Sequence, residues 1–285
     1  MADLTGKTVL ITGATSGIGL EASVALARQG ARLVMVGRDP GKTARAIQAV
    51  RDRSGSSTID SLLCDLASQR QVRSLAQAFL ARYERLDVLV NNAGTVSMTR
   101  TLTEDGLEST FAVNYLSAFL LTNLLLDRLR ASAPSRIVMV SSAGHYAGSI
   151  DFDDLGLERG YRVMRAYSRS KLAQVLFTRE LARRLQGTGV TVNALHPGTV
   201  ATGIWNRAPG FTRPFFAVAK RLFMLRPAQG AEGIVYLASS PQVGTASGEY
   251  FDRNLPRPPS RLARDEGLAA RLWEESARLT QDRPV

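Results

Sequence analysis

The sequence predicts an α/β fold in which helices cover both faces of a doubly wound, mostly parallel β-sheet. Short apolar runs alternate with longer amphipathic stretches along most of the chain, which is the rhythm of βαβ units. The 285 residues, 45% hydrophobic and 21% charged, are enough for one domain with its own core. No repeat with a period of about 20 to 50 residues interrupts this pattern. We therefore expect residues 1–285 to form a single domain.

Each strand is predicted from a β-branched or apolar run that ends at turn-forming residues. These runs lie at 7–11, 32–36, 58–63, 86–90, 136–141, 190–195 and 249–252, which gives a sheet of about seven strands. Helical periodicity fills the stretches between them, at 18–29, 41–53, 69–85, 103–130 and 165–186. Three prolines open the tail at 253–285, where an amphipathic pattern over 262–279 predicts a surface helix after a stiff linker.

The net charge of +11 raises the question of a nucleic-acid partner, because Lys and Arg supply phosphate contacts. Only four of the 36 basic residues are lysines, the arginines are scattered, and we find no basic run with interleaved aromatic residues. The pattern favours a solvated, arginine-rich surface and no nucleic-acid partner.

Cysteine content and hydropathy bound the compartment. Cys64 is the only cysteine, which excludes an intramolecular disulfide and a cysteine-built metal cluster. The longest uncharged apolar stretch, 116–126, falls well short of the roughly 20 residues that span a bilayer. Asp3 and Lys7 flank the first predicted strand and leave no room for a secretory signal. We expect a cytoplasmic protein without a stable membrane span.

A glycine-rich loop joins the first predicted strand to the first predicted helix. Glycines let the backbone turn sharply and approach a diphosphate, while free N–H groups at the start of a helix face the negative charge. The spacing is G-x-x-x-G-x-G instead of the commoner G-x-G-x-x-G, and a tight turn without a ligand is the alternative. We favour a dinucleotide-binding loop. Its expected contacts are Gly13, Thr15, Ser16, Gly17, Ile18 and Gly19.

Arg38 and Asp39, after the second predicted strand, bear on the choice between the two nicotinamide dinucleotides. An acidic residue near this position would hold the ribose 2′-hydroxyl of NAD, whereas an arginine would hold the 2′-phosphate of NADP. Asp39 precedes Pro40, which is typical of a helix N-cap and first helical position. Arg38 is then available for phosphate, so we favour NADP; an ordinary solvated arginine is the alternative.

Further motifs follow the later predicted strands in order. Asn91-Asn92-Ala93-Gly94 follows the fourth strand, Ser142 the fifth and residues 197–202 (Pro-Gly-Thr-Val-Ala-Thr) the sixth, while Tyr167-x-x-x-Lys171 lies in a predicted helix. With the glycine loop, these motifs make the chain resemble the short-chain dehydrogenase/reductase family over almost its whole length. Residues 141–145, 167–181, 248–252 and 271–276 are similar to the retinol dehydrogenase branch.

The resemblance implies a Rossmann fold, an NAD(P)-dependent oxidoreductase and a homo-oligomer. Many animal members of the branch begin with a hydrophobic anchor that we do not find here, so membrane residence is not carried over. The remaining cofactor contacts that it implies are Asp65 beside adenine, and Leu66, Asn92, Ala93, Gly94, Tyr167, Lys171, Pro197, Gly198, Val200 and Thr202.

The chemistry of hydride transfer explains the pair Tyr167 and Lys171. Reduction of a carbonyl places negative charge on oxygen, and a positioned acid must supply a proton. A phenol has a pKa near 10, so a neighbouring cation should ease proton release. Residues four apart lie on one face of a helix, with Cβ atoms about 5 to 6 Å apart, so both side chains can enter one cleft.

Two polar residues complete the expected catalytic group. Ser142 lies just beyond an apolar strand, where ligands gather in such sheets, and its hydroxyl can donate to the developing alkoxide. Ser141 is the competing choice, and the family match selects Ser142. The resemblance also implies that Asn114 holds a water linking the lysine to solvent; a structural asparagine in a helix is the alternative.

Other chemistries find less support in the sequence. His145 and His196 have no nearby carboxylate pattern, so we assign neither as an acid or base and expect no metal site. At most, His145 would line the substrate entrance. Ser142 is not set in a G-x-S-x-G elbow, which argues against a hydrolase nucleophile.

The segment at 203–226 is too apolar for an ordinary loop. We expect a lid over the cleft that contacts a lipophilic substrate such as a retinoid, terpenoid, steroid or long-chain carbonyl. A core-packing helix, a dimer contact and a membrane-touching stretch are alternatives. The sequence therefore predicts an NADP-preferring oxidoreductase acting on a lipophilic alcohol and its aldehyde or ketone. The alternatives are an NAD-dependent alcohol or steroid dehydrogenase and, less favoured, a non-catalytic dinucleotide sensor.

Overall fold

An eight-stranded sheet forms the centre of the computed structural model, which describes residues 3–200 and 225–281. The strand order is β3-β2-β1-β4-β5-β6-β7-β8, with every neighbouring pair parallel except β7 and β8. The chain crosses over between β3 and β4, so the order reverses beside β1. The strands are β1 (Thr8–Thr12), β2 (Arg32–Gly37), β3 (Ile59–Leu63), β4 (Val88–Asn91), β5 (Ser135–Val140), β6 (Val190–His196), β7 (Tyr250–Asp252) and β8 (Leu255–Pro256).

Helices pack on both faces of this sheet. The described α-helices are α1 (Gly17–Arg28), α2 (Pro40–Ser54), α3 (Gln69–Arg82), α4 (Ser109–Phe111), α5 (Ser117–Leu124), α6 (Leu126–Ala131), α7 (Val163–Arg184), α8 (Pro227–Ser239) and α9 (Glu266–Thr280). A π-helical turn, Ala112–Leu116, joins α4 to α5. The doubly wound α/β fold predicted from the sequence is confirmed.

The two faces carry separate apolar cores. Successive side chains of a strand point to opposite faces, and β1 shows this directly. Val9 and Ile11 belong to the core beneath α1, α2 and α8, while Leu10 belongs to the core beneath α3, α5, α7 and α9. All three side chains are fully buried. A strand buried on both faces reads as a continuous apolar run, which is why the central strands could be located from sequence.

The observed sheet has eight strands, where about seven were predicted. Seven predicted strands lie within two residues of their observed bounds, but β8 is an additional, two-residue antiparallel strand. A turn in which Arg253 adopts a left-handed φ of 56° brings Leu255 back onto Asp252. Because β8 forms the edge of the sheet, Pro256 can occupy it without removing an interior hydrogen bond.

The single helix predicted at 103–130 is also wrong. Residues before 109 form a turn in which Gly106 has a φ of 74° and Leu102 bridges to Glu108. The Glu108 carboxylate accepts hydrogen bonds from the backbone N–H groups of Thr110 and Phe111, both at 2.8 Å, so the helix begins only there. The helical chain is then interrupted twice, by the π-helical turn and again at Leu125.

The tail packs into the core of the domain, whereas the sequence predicted a surface helix there. Trp273 of helix α9 is 3% exposed and packs against the rings of Phe119 and Phe177 at centroid distances of 5.1 and 5.5 Å. The guanidinium of Arg184, the last residue of α7, lies 4.3 Å from the centre of the Trp273 ring. The apolar stripe of α9 is therefore part of the core, since the tail supplies one wall of it.

Trp273→Ala should lower the free energy of unfolding by about 3–5 kcal/mol, because it removes a buried indole and leaves a cavity beside the two phenylalanine rings. Urea unfolding followed by circular dichroism measures this loss. Glu274→Ala, at the neighbouring exposed position of the same helix, is the control and should change stability by less than about 0.5 kcal/mol. Equal effects of the two substitutions would contradict a structural role for the tail.

Candidate active site

A cavity of about 850 Å³ opens at the carboxyl ends of the parallel strands, beside the point where the strand order reverses. Doubly wound sheets bind their ligands at this position. Of the residues proposed from sequence, Thr202 lies outside the described residues and Asn114 does not line the cavity. The others line it together: Gly13, Thr15, Ser16, Gly17, Ile18, Gly19, Arg38, Asp65, Leu66, Asn92, Ala93, Gly94, Ser142, Tyr167, Lys171, Pro197, Gly198 and Val200.

The glycine loop is held against the loop that follows β4. The Asn92 side-chain amide donates to the carbonyls of Thr12 and Gly13 at 2.8 and 3.1 Å, and the Thr12 hydroxyl accepts from the backbone N–H groups of Asn92 and Ala93 at 3.1 Å. A Cβ on Gly19 would lie 2.3 Å from the Gly13 carbonyl oxygen. Gly13 itself has a φ of 65°. Both positions require glycine because the two backbones touch.

Helix α1 begins directly beneath the cavity. Ser16 is its N-cap residue, and the Ser16 side chain makes no capping hydrogen bond. The first N–H groups of a helix lack intrahelical partners, and the positive end of its dipole attracts anions. Since Ser16, Gly17 and Ile18 line the cavity, the start of α1 can hold the diphosphate of a dinucleotide.

The end of β2 presents a cationic rim. Arg38 is 68% exposed at its side chain, and its Nη1 atom lies 3.5 Å from Oδ2 of Asp65. The Asp39 carboxylate accepts a hydrogen bond from the Lys42 backbone N–H at 2.7 Å, which confirms the predicted cap of α2. Asp39 is therefore engaged by its helix, while Arg38 and Lys42 both line the cavity.

Tyr167 and Ser142 meet across the cavity. Ser142 lies after β5 and Tyr167 on the first turns of α7, and their side chains are hydrogen-bonded. Burial raises the pKa of the Tyr167 phenol, and the hydrogen bond from Ser142 opposes this rise in part. The phenol is therefore protonated at neutral pH and can act as an acid toward a bound oxygen. The Ser141 hydroxyl instead donates to the main-chain carbonyl of Lys171 at 2.9 Å.

Lys171 follows Tyr167 by one helical turn and is 4% exposed. Its Nζ atom lies 5.5 Å from the centre of the Tyr167 ring and donates to the Val140 carbonyl and to Oε1 of Gln174, both at 3.0 Å. Burial lowers the pKa of Lys171 to about 7. That the Lys171 cation eases proton release from Tyr167 stays a prediction; burial of the phenol is the largest cause of the raised pKa of Tyr167.

Asn114 lies in the π-helical turn, behind the wall of the cavity. Its side-chain Oδ1 accepts from the Thr95 N–H at 2.7 Å, and its Nδ2 donates to the Thr95 carbonyl and to the Ser170 hydroxyl at 3.0 Å. These bonds fasten the loop after β4 to α7. The side chain thus positions its neighbours, while its main-chain carbonyl accepts from Nε2 of Gln174 at 2.6 Å.

The two histidines occupy different places. His145 is fully buried and does not line the cavity, contrary to the position at the substrate entrance considered from sequence. Its Nδ1 contacts the Ser142 carbonyl at 2.8 Å and its Nε2 accepts from the Ser260 N–H at 3.1 Å. The Tyr146 hydroxyl donates to the Pro258 carbonyl at 2.7 Å, so the tail is tied to the serine loop twice. His196 lines the cavity, and burial lowers its pKa.

Sequence reasoning missed two polar groups of this region. Lys42 lies on the first turn of α2, and its closeness in sequence to Arg38 could have indicated a second cation at the same rim. Gln174 follows Lys171 by three residues on α7, a spacing that puts both on one face, but glutamine at that position has no motif to mark it.

Residues 3–200 and 225–281 contain neither a candidate metal-binding cluster nor a candidate membrane-spanning helix. No group of three or more His, Cys, Asp or Glu side chains in these ranges is arranged to hold a metal ion. None of the helices described there combines the length and the apolar character needed to cross a bilayer.

The comparisons with known proteins agree with this geometry. Residues 7–210 match the profile of the short chain dehydrogenase family, so the chain belongs to that family and is an NAD(P)-dependent oxidoreductase. Within it, the chain falls in the retinol dehydrogenase-like branch. It is 45% identical to retinol dehydrogenase 13 of Homo sapiens over 98% of this chain and 86% of that protein, and 46% identical to retinol dehydrogenase 14 of Homo sapiens over 95% and 85%.

Solved structures show the same fold. An uncharacterised protein from Mycobacterium paratuberculosis is similar with a TM-score of 0.82 and 34% identity, covering 100% of this chain and 97% of the other. An NADP complex of RhlG from Pseudomonas aeruginosa is similar with a TM-score of 0.71 and 26% identity, covering 94% and 98%.

Gly19→Ala should weaken NAD(P)H binding by roughly tenfold or more, because the new methyl group would force the glycine loop away from Asn92. Quenching of protein fluorescence on titration with NADPH and NADH measures the affinity. Gly41→Ala is the matched control: its Cβ would meet ordinary contacts at 3.5 Å, and the residue does not line the cavity. Wild-type affinity in Gly19→Ala would contradict the close approach of loop and ligand.

Proposed function

We propose that the protein transfers hydride between NADP(H) and a lipophilic alcohol or its aldehyde or ketone. The observation that carries this proposal is the convergence of Ser142, Tyr167 and Lys171 on a cavity whose other end holds the glycine loop and a cationic rim. A nicotinamide ring bound there supplies or accepts the hydride. The residues of the chain bind it, orient the substrate and move the proton.

The preference for NADP is supported by the rim at the end of β2. Arg38 and Lys42 line the cavity there, whereas the only carboxylate directly after Arg38 caps α2. A guanidinium and an ammonium group suit the charge of a ribose 2′-phosphate. The RhlG structure, a member of the same fold, has NADP in its active site.

The proton is carried by Tyr167 in this proposal. In carbonyl reduction the phenol donates its proton to the developing alkoxide, and the Ser142 hydroxyl donates a hydrogen bond to the same oxygen. The Lys171 ammonium favours the phenolate that remains and offers its remaining donor to the ribose hydroxyls. Asn114 acts indirectly, since its side chain fixes Thr95 and Ser170 around these groups.

A lipophilic substrate is supported by the wall of the cavity near Tyr167. Val96, Val113, Val140 and Met164 line it, and Met164 is half exposed. The relatives in the branch are named retinol dehydrogenases, which fits an apolar substrate of this class. The lid predicted at 203–226 lies, up to residue 224, outside the described residues and stays a prediction, as do Thr202, the cytoplasmic location and the homo-oligomer.

An NAD-dependent alcohol or steroid dehydrogenase is the second candidate. The contact between Arg38 and Asp65 favours it, because a carboxylate 3.5 Å from the guanidinium offsets part of the charge that a 2′-phosphate would meet. A choice between the two cofactors therefore depends on whether Arg38 leaves Asp65 when the ligand binds.

Purified protein should oxidise NADPH in the presence of lipophilic aldehydes or ketones, and Tyr167→Phe should lower kcat about 100-fold or more while leaving NADPH affinity near that of the wild type. Loss of nicotinamide absorbance measures turnover, and fluorescence quenching measures binding. The phenylalanine keeps the ring and removes only the hydroxyl. Retained turnover would mean another proton donor, and no turnover by the wild type on any carbonyl with either cofactor would favour the sensor.

Arg38→Asp should shift the ratio of kcat/KM for NADPH over NADH toward NADH by roughly tenfold or more, because a carboxylate repels the 2′-phosphate and accepts from a 2′-hydroxyl. Steady-state kinetics with both cofactors measure the ratio. Arg45→Asp makes the same charge change on the exposed face of α2, outside the cavity lining, and should leave the ratio unchanged. An unchanged ratio in Arg38→Asp would mean that Arg38 takes no part in the choice of cofactor.

A further inference from the structure

A glutamine side chain links the lysine of the site to the π-helical turn. Gln174 is fully buried on α7. Its Oε1 accepts from Nζ of Lys171 at 3.0 Å, and its Nε2 donates to the main-chain carbonyl of Asn114 at 2.6 Å. One amide group thus joins the Lys171 ammonium directly to the Asn114 carbonyl. By the family resemblance, a water held by Asn114 would contact the lysine instead.

Only one orientation of this amide satisfies both contacts. An ammonium group can only donate and a carbonyl can only accept, so the amide oxygen must face Lys171 and the amide nitrogen must face Asn114. The reversed amide would place two donors together at one end and two acceptors at the other. The Asn114 carbonyl has two lone pairs and can accept from Gln174. It lies in a turn of i to i+5 geometry, in which the Ser117 N–H donates to the Ala112 carbonyl.

We propose that Gln174 is a positioning residue that holds the Lys171 ammonium in place and keeps it charged, by joining it directly to the Asn114 carbonyl. This inference rests on the proposed function, because it assigns to Gln174 a task in the proton chemistry of that site. The Val140 carbonyl and Gln174 take two of the three Nζ donors, so the third remains for the ligand side of the cavity.

The charge on Lys171 is sensitive to such a partner because the group is buried. Burial lowers the pKa of Lys171 to about 7, so the ammonium is lost as the pH rises through the neutral range. Tyr167 on α7 and His196 at the end of β6 are titratable groups that face it, and Lys171 in turn contributes to lowering the pKa of His196. A polar acceptor on Nζ favours the charged form, and its removal disfavours that form.

Two substitutions separate this role from simple packing. Gln174→Met keeps the length of the side chain and removes both hydrogen-bonding groups. Gln174→Glu keeps an acceptor for Lys171, adds negative charge and loses the donor to Asn114. In Gln174→Met we expect kcat for carbonyl reduction to fall roughly tenfold and the alkaline limb of kcat/KM to move to lower pH. In Gln174→Glu the same limb should move to higher pH, because a carboxylate stabilises the ammonium.

The measurements are pH profiles of kcat and kcat/KM on a carbonyl that the wild type reduces, and the pH dependence of NADPH affinity from fluorescence quenching. The pH above which NADPH affinity falls should follow the same order: it should be lowest in Gln174→Met and highest in Gln174→Glu. Thr178→Val is the matched control, since Thr178 is fully buried one turn further along α7 and its hydroxyl bonds only the Gln174 backbone carbonyl at 2.9 Å. It should lower the melting temperature at most and leave the limb in place.

Alkaline limbs that coincide with the wild type in folded Gln174→Met and Gln174→Glu would overturn the inference, even if stability falls. If Gln174→Met does not fold, Gln174→Asn takes its place. Asparagine keeps the amide oxygen and nitrogen on a side chain one methylene shorter, so the limb should shift less and in the same direction. A wild type without turnover on any carbonyl would contradict the proposed function; an active wild type with unmoved limbs in the variants contradicts only the role of Gln174.

Discussion

An ammonium group buried at the carboxyl end of the sheet is the constraint on which the rest of the site depends. Removing a charge from water is unfavourable, and buried charges persist only where polar partners replace the lost hydration. Lys171 finds such partners in the Val140 carbonyl, at the end of β5, and in Gln174 on its own helix. The hydrogen bonds of this one side chain therefore fix the end of β5 relative to the first half of α7.

The π-helical turn at Ala112–Leu116 serves the same constraint from the opposite side. Within this turn the Ser117 N–H donates to the Ala112 carbonyl, and the Asn114 carbonyl accepts from Nε2 of Gln174. The Asn114 side chain is meanwhile bound to Thr95 and Ser170. One residue thus connects the loop after β4, the turn itself and α7. Turns of this kind often lie at functional positions, and this one carries a residue that contacts three parts of the site.

Features encoded by neighbouring residues could be predicted from the sequence, whereas features that depend on contacts between distant residues could not. The strands, the glycine loop and the pair Tyr167 and Lys171 are each defined by residues close together in the sequence. Their placement on the elements of the fold could therefore be predicted. The cap formed by Asp39 was likewise readable from the proline that follows it. By contrast, β8 depends on a left-handed Arg253, which no neighbouring residue signals. The link from Lys171 through Gln174 to Asn114 joins two helices 60 residues apart and exists only after they pack.

The attachment of the tail to the serine loop has a consequence for how the protein becomes active during synthesis. The His145 ring and the Tyr146 hydroxyl hold main-chain groups at Ser260 and Pro258, more than 100 residues later in the chain. These partners emerge from the ribosome after every strand of the parallel sheet has been made. The glycine loop and the Asn92 side chain that holds it lie within the first 92 residues, whereas the loop that carries Ser142 gains these two contacts only once residue 260 has been synthesised.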